Sequence, residues 1–106
     1  MHSEHLGSEE HAFMEAFMVV CTFKKDTVME EVYAVVAEEQ ARVATLVAEG
    51  RVGAVRLSLA RGTVFIETFA DDAAAADMTV RTLPMAQWWD LDVFPLMPAP
   101  EIGRAH

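Results

Sequence analysis

Two glutamates set among apolar residues are the side chains of this sequence best suited to moving a proton. Glu67 lies between Phe65 and Phe69 at a spacing of two, so that in a strand the carboxylate and both rings share one face. Partial desolvation there would raise its pKa toward the range useful for general acid–base work; the competing account is a rim glutamate paired with an arginine. Glu39 and Gln40 interrupt an apolar stripe, and one of them either reaches a pocket or flanks solvent. Asp90 and Asp92 share a face of a final strand, where a carboxylate pair competes with ordinary solvent-facing alternation. Cys21, the one cysteine, sits in the apolar run 17–23 and reads as a packing thiol rather than a reactive one. His2, His5 and His11 complete no metal-ligand spacing, so no metal is expected. With no Ser-His-Asp order and no glycine-rich phosphate loop, hydrolase and nucleotide readings have little support.

The elements that must position these groups follow from periodicity. Residues 13–23 predict a strand, and its later part is apolar at odd and even positions alike, which requires cover on both faces. Thr27 and Glu30 form a capping-box pair ahead of a helix over residues 28–49, where Met29, Val32, Val36, Val43 and Leu46 recur at intervals of three and four. Gly50 supplies the left-handed position that ends it. Residues 52–59 and 63–69 predict a hairpin joined around Ala60-Arg61-Gly62. In its first strand Arg56 and Ser58 share a face with Val52 and Ala54, opposite Val55, Leu57 and Leu59. Asp71 and Asp72 cap an alanine-rich second helix that Pro84 ends, and the last strand alternates apolar and acidic residues up to Pro95.

The order strand, helix, strand, strand, helix, strand predicts an α+β, ferredoxin-like βαββαβ domain over residues 13–98, with a four-stranded antiparallel sheet and two helices on one face. Residues 1–12 and 99–106 read as tails. Because helices on one face leave the other face of the first strand uncovered, a second copy packing sheet on sheet is expected: a dimeric α/β barrel, or a higher homo-oligomer. Composition agrees. A hydrophobic share of 53% in 106 residues exceeds the usual roughly 45–50% and is more than so small a domain hides easily.

A net charge of −9, from 8 basic and 17 acidic side chains, opposes nucleic-acid binding. No apolar run approaches the roughly 20 residues that span a bilayer, and the acidic start does not resemble a secretory signal. A soluble, cytoplasmic protein without a membrane partner is the expectation.

The closing segment, Leu83-Pro84-Met85-Ala86-Gln87-Trp88-Trp89-Asp90-Leu91-Asp92-Val93-Phe94-Pro95-Leu96, resembles that of the muconolactone isomerase family: a Leu-Pro, an aromatic pair, an Asp-hydrophobe-acidic-Val core and a Pro-Leu. The likeness extends over residues 16–100, through Phe17-Met18-Val19 and Glu38-Glu39-Gln40-Ala41-Arg42. It departs in the hairpin, where the family's aromatic before Arg is missing from Ala54-Val55-Arg56. The resemblance implies a small oligomeric intramolecular isomerase that shifts a proton within a lactone or related carboxylate of aromatic catabolism, with no cofactor. Glu39 or Glu67 would then shuttle the proton, Arg56 or Arg42 would hold the substrate carboxylate, and Trp88 and Trp89 would wall off water or pack the dimer seam. A cofactor-free oxygenase or cyclase-like enzyme would need a larger, more apolar pocket. A non-catalytic ligand-binding or assembly domain would leave no room for a substrate.

Overall fold

The computed structural model describes residues 14–98; Phe13, the three early histidines and the tail at 99–106 lie outside them. The described residues form an α+β unit. Strand β1 (Glu15–Phe23) is followed by helices α1 (Met29–Ala34) and α2 (Val36–Ala48). Strands β2 (Val52–Ser58) and β3 (Thr63–Ala70) come next, then helix α3 (Ala73–Arg81) and strand β4 (Trp89–Pro95). The sheet is antiparallel throughout, in the order β2-β3-β1-β4, an arrangement compatible with a ferredoxin-like fold.

The chain's most apolar strand takes an interior place. Strand β1 pairs with β3 through Val19 opposite Ile66 and with β4 through Val19 opposite Val93. Its odd-numbered residues Phe17, Val19 and Cys21 are buried beneath the helices, together with Ile66 of β3, Leu46 of α2 and Val80 of α3. Its even-numbered residues Met18 and Val20 face the other side and are only half-buried. The two apolar faces anticipated for this strand are present, and among the described residues only one of them is fully covered.

Three local readings are corrected. The helical stretch is two helices rather than one: Val35, at φ −110° and ψ 12°, closes α1 before α2 begins. The apolar stripe runs through Val32 and Val36 without interruption, so the periodicity carries no mark of the break. Nor does Thr27 cap the helix. Its hydroxyl donates to the Lys24 carbonyl at 2.6 Å, closing the turn after β1, and the N-cap position is Val28. The third correction concerns β2, where the register slips between Val52 and Val55. Val52 therefore points to the helix side with Val55 and Leu57, not to the face of Arg56, because one extra residue in a bulge inverts the alternation.

Two other element ends, at Gly50 and Asp72, behave as the sequence implies. Gly50 adopts φ 76°, its N–H donates to the Val47 carbonyl and the Arg51 N–H to the Leu46 carbonyl, the paired bonds of a Schellman C-terminus. Asp72 is the N-cap of α3 and accepts the Ala75 N–H at 2.8 Å. Past Arg81 the chain forms a 3-10 turn over Pro84–Trp88, whose first residue needs no N–H donor. No helix of the described residues is long and apolar enough to cross a membrane.

Leu46 is fully buried and Leu59 is 83% exposed. In urea denaturation, Leu46→Ala should cost about 2–5 kcal/mol through lost transfer energy and a residual cavity, whereas Leu59→Ala should stay within about 0.5 kcal/mol of the parent.

Candidate functional site

Helix α2 carries Val36, Glu39, Val43 and Leu46 at spacings of three and four, so Glu39 falls in the middle of the apolar stripe that faces the sheet. Of the pair that interrupts the stripe, Glu39 turns inward, with 8% of its surface exposed. Gln40, one step around the helix, is exposed. The Glu39 Oε1 accepts the backbone N–H of Met85 at 2.9 Å. That bond joins α2 to the 3-10 turn after α3, across 46 positions of sequence. The donor is available because the first turn of a helix leaves its N–H groups without internal partners.

Glu39 borders a cavity of about 500 Å³ between α1, α2 and the helix-side face of the sheet. Val43 of α2, Ile66 of β3, Met85 and Trp89 line its interior. Met29, Tyr33, Val55, Leu57 and Leu59 surround the exposed side. Among the described residues, Glu39, Gln40 and Tyr33 are the polar residues of the wall, which includes no lysine, arginine or histidine. Trp89 meets Phe23 edge to face, with ring centroids 6.0 Å apart. Its buried Nε1–H has no acceptor among the described residues, at a cost of about 1–3 kcal/mol.

Burial raises the Glu39 carboxyl above its ordinary value of 4.5, and the Met85 N–H, which favours the ionised form, offsets part of that rise. Cys21 lies on the same side of the sheet, opposite Val64 and Leu91. Burial, reinforced by the charge of Glu39, pushes its thiol up to about 12. It is a packing thiol, as its apolar run implies.

The other sequence candidates are not gathered here. Glu67 projects from the opposite face of β3, between Phe65 and Phe69, and its Oε1 accepts the Ala54 N–H at 3.0 Å. That N–H is released from the ladder by the bulge, so the carboxylate stitches β2 to β3 across the irregularity. Gly53 makes room for it: a Cβ there would run into Glu67 Oε1 and the Phe69 ring. Arg56 is opposite Phe65, also on the outer face, and no ion pair joins it to Glu67 among the described residues. Arg42 donates from Nε to the Thr82 hydroxyl at 3.3 Å, bracing α2 against the end of α3 rather than entering the cavity. Trp88 ends the 3-10 turn outside the cavity wall while Trp89 begins β4 within it. Asp90 and Asp92 share the outer face of β4 and are exposed, as solvent-facing alternation implies.

Sequence reasoning left Glu39 and Gln40 undivided and did not find Met85, which contributes a backbone group. The neighbouring Leu-Pro was the available signal, since proline at the start of a helical turn leaves the next N–H groups free to act as donors. Among the described residues no group of three or more His, Cys, Asp or Glu side chains could hold a metal ion. No family model and no curated protein matches the chain.

The raised carboxyl has a definite thermodynamic sign. Between the unfolded and folded pKa values the native chain holds a proton that the unfolded chain has lost. The stability this contributes is present below the unfolded value and lost as pH rises through the folded one. Urea titrations from about pH 4.5 to about pH 8 should show a smaller decline for Glu39→Gln than for the parent. Iodoacetamide labelling of Cys21 should proceed only as fast as the chain unfolds, because the native thiol is both buried and protonated at neutral pH.

Proposed function

We propose that this chain is a muconolactone isomerase-like enzyme that moves a proton within a small lactone or related compound of aromatic catabolism, with Glu39 as the shuttling acid–base group and no cofactor. The observation that carries the reading is a single buried carboxyl at the wall of an otherwise apolar cavity, with one oxygen fixed by the Met85 N–H. Its ionised form takes a carbon-bound proton beside the lactone's double bond, and the resulting acid returns that proton at the other end of the conjugated system. Burial keeps its pKa nearer the working pH than that of an exposed glutamate, which suits both halves of the transfer. Gln40 offers a neutral amide N–H to the oxygen on which charge develops. Arg42 is bonded to Thr82 and Arg56 lies on the outer face of the sheet, so the geometry supports recognition of the ring rather than of a carboxylate.

The cavity's volume of about 500 Å³ and its apolar lining favour a second reading, a cofactor-free oxygenase or cyclase-like enzyme acting on a polycyclic aromatic. The same volume counts against a domain with no ligand. The assembly we propose is the sheet-to-sheet dimer, in which a second copy covers Met18, Val20, Phe65, Phe69 and Phe94 on the outer face; Phe94 is 47% exposed in the single chain. Light scattering should report a dimer for the parent, and Met18→Glu with Phe94→Glu should shift it to monomer.

Proton NMR in deuterated buffer tests the chemistry, with muconolactone beside an uncharged unsaturated lactone such as α-angelica lactone. Enzyme-dependent deuterium uptake or double-bond migration is expected in the uncharged lactone, with muconolactone, whose carboxylate meets no cation on the wall, the poorer substrate. Glu39→Gln should lower it by about 10²-fold or more, while Glu67→Gln should retain it within about twofold, since Glu67 lies across the sheet. Oxygen consumption with a polycyclic phenol, and no exchange in either lactone above the buffer control, would replace this reading with the second.

A further inference from the structure

We propose that the cavity selects an uncharged, largely apolar ring ligand, from a lactone up to the scale of two or three fused rings, with one oxygen function placed at Glu39, and rejects carboxylates of the same shape. The inference rests on the reading of this cavity as the ligand site and goes beyond it by fixing the charge and size of what enters.

Three observations carry it. The first is the wall itself, which among the described residues contains no lysine, arginine or histidine. The arginines nearest in sequence to its lining residues are placed elsewhere: Arg42 on the Thr82 hydroxyl and Arg56 across the sheet. An anion moved from water into such a space loses its hydration without a compensating charge or fork of donors. The second is Glu39. A ligand carboxylate beside it would be a like charge in a desolvated setting, opposed whenever Glu39 is ionised. The third is the approach. The chain's net charge of −9 disfavours the arrival of anions, and the rim continues the apolar lining outward through Leu57, 58% exposed, and Leu59, 83% exposed. A rim of that composition fits ring edges and repays none of an anion's lost hydration.

The volume sets the scale. About 500 Å³ falls inside the roughly 300–1,000 Å³ of small-molecule sites, with space beyond a single five-membered ring. The ligand's oxygen belongs with the polar groups of the wall, chiefly the buried Glu39 carboxyl, because burying it among the apolar residues leaves it without a partner.

A matched pair of probes tests the assignment on the full-length protein at neutral pH: 9-anthracenemethanol and 9-anthracenecarboxylate, which share a skeleton and differ in charge. Fluorescence titration gives the affinities, and methyl-resolved NMR of Val43 and Leu57 locates the binding. The alcohol should shift both methyl signals and bind at least about tenfold more tightly than the carboxylate, as the cost of an unpaired buried charge requires. Val55→Arg, on the exposed edge strand, should narrow the gap by strengthening carboxylate binding. Equal or tighter binding of the carboxylate at the same methyl groups in the parent would overturn the charge class and leave the cavity as the site. Shifts at those methyls with neither probe would overturn the cavity reading, and this inference with it. An unchanged preference in Val55→Arg would show that the missing cation is not the source of the discrimination.

Discussion

The structure depends first on the interior position of β1. A strand paired on both edges, with apolar side chains on both faces, must be covered above and below to stay out of water. The helices provide the cover on one side, where Phe17, Val19 and Cys21 meet Leu46 and Val80. On the other side Met18 and Val20 meet Phe65 and Phe94 across the neighbouring strands, and that layer has no second layer among the described residues. Everything else is arranged around this asymmetry: one face is a core with a cavity at its edge, and the other is a half-buried apolar surface.

The cavity arises where the cover is incomplete. Helix α3 is built from small residues and sits close over β1 and β3, with Ala76 and Val80 buried. Helix α2 crosses nearer to β2 and leaves Val55 and Leu57 of that strand partly bare. The space between is apolar because both surrounding elements present the faces with which they would otherwise pack. Into it the chain places one carboxyl, held by a backbone N–H rather than by a cation. A backbone donor fixes one oxygen without neutralising the group as a lysine or arginine would, so the carboxyl keeps the elevated pKa that burial confers.

The two glutamates show how similar surroundings lead to different roles. Both lie among apolar neighbours. Glu67, on the outer face, accepts the Ala54 N–H that the β2 bulge frees, and the absence of a side chain at Gly53 gives it space. It compensates for an irregularity in the ladder. Glu39 compensates for no such irregularity in its own element; its partner is on a distant turn and its surroundings are the cavity. Proximity to aromatics in sequence is thus a poorer guide to chemistry than the side of the sheet on which a residue emerges.

The sequence by itself determined the order of the strands and helical stretches, though not the break at Val35, together with the antiparallel hairpin, the caps at Gly50 and Asp72 and the two-faced character of β1. All of these are local: they depend on period, turn chemistry and capping within a few residues, and short-range sterics decide them. It also placed Glu39 within an apolar stripe, with Gln40 as the competing inward residue. Only the tertiary structure separated the two, because one helical step of 100° decides which faces the sheet, and that rotation is set by the packing of Val43 and Leu46. Only the tertiary structure, too, removed Glu67 and Arg56 from the site. The alternation read from the sequence holds for both, with Arg56 on the opposite face from Val55 and Glu67 on the opposite face from Ile66, but which face of the sheet the helices cover is set by packing across all four strands rather than by the residues of any one of them.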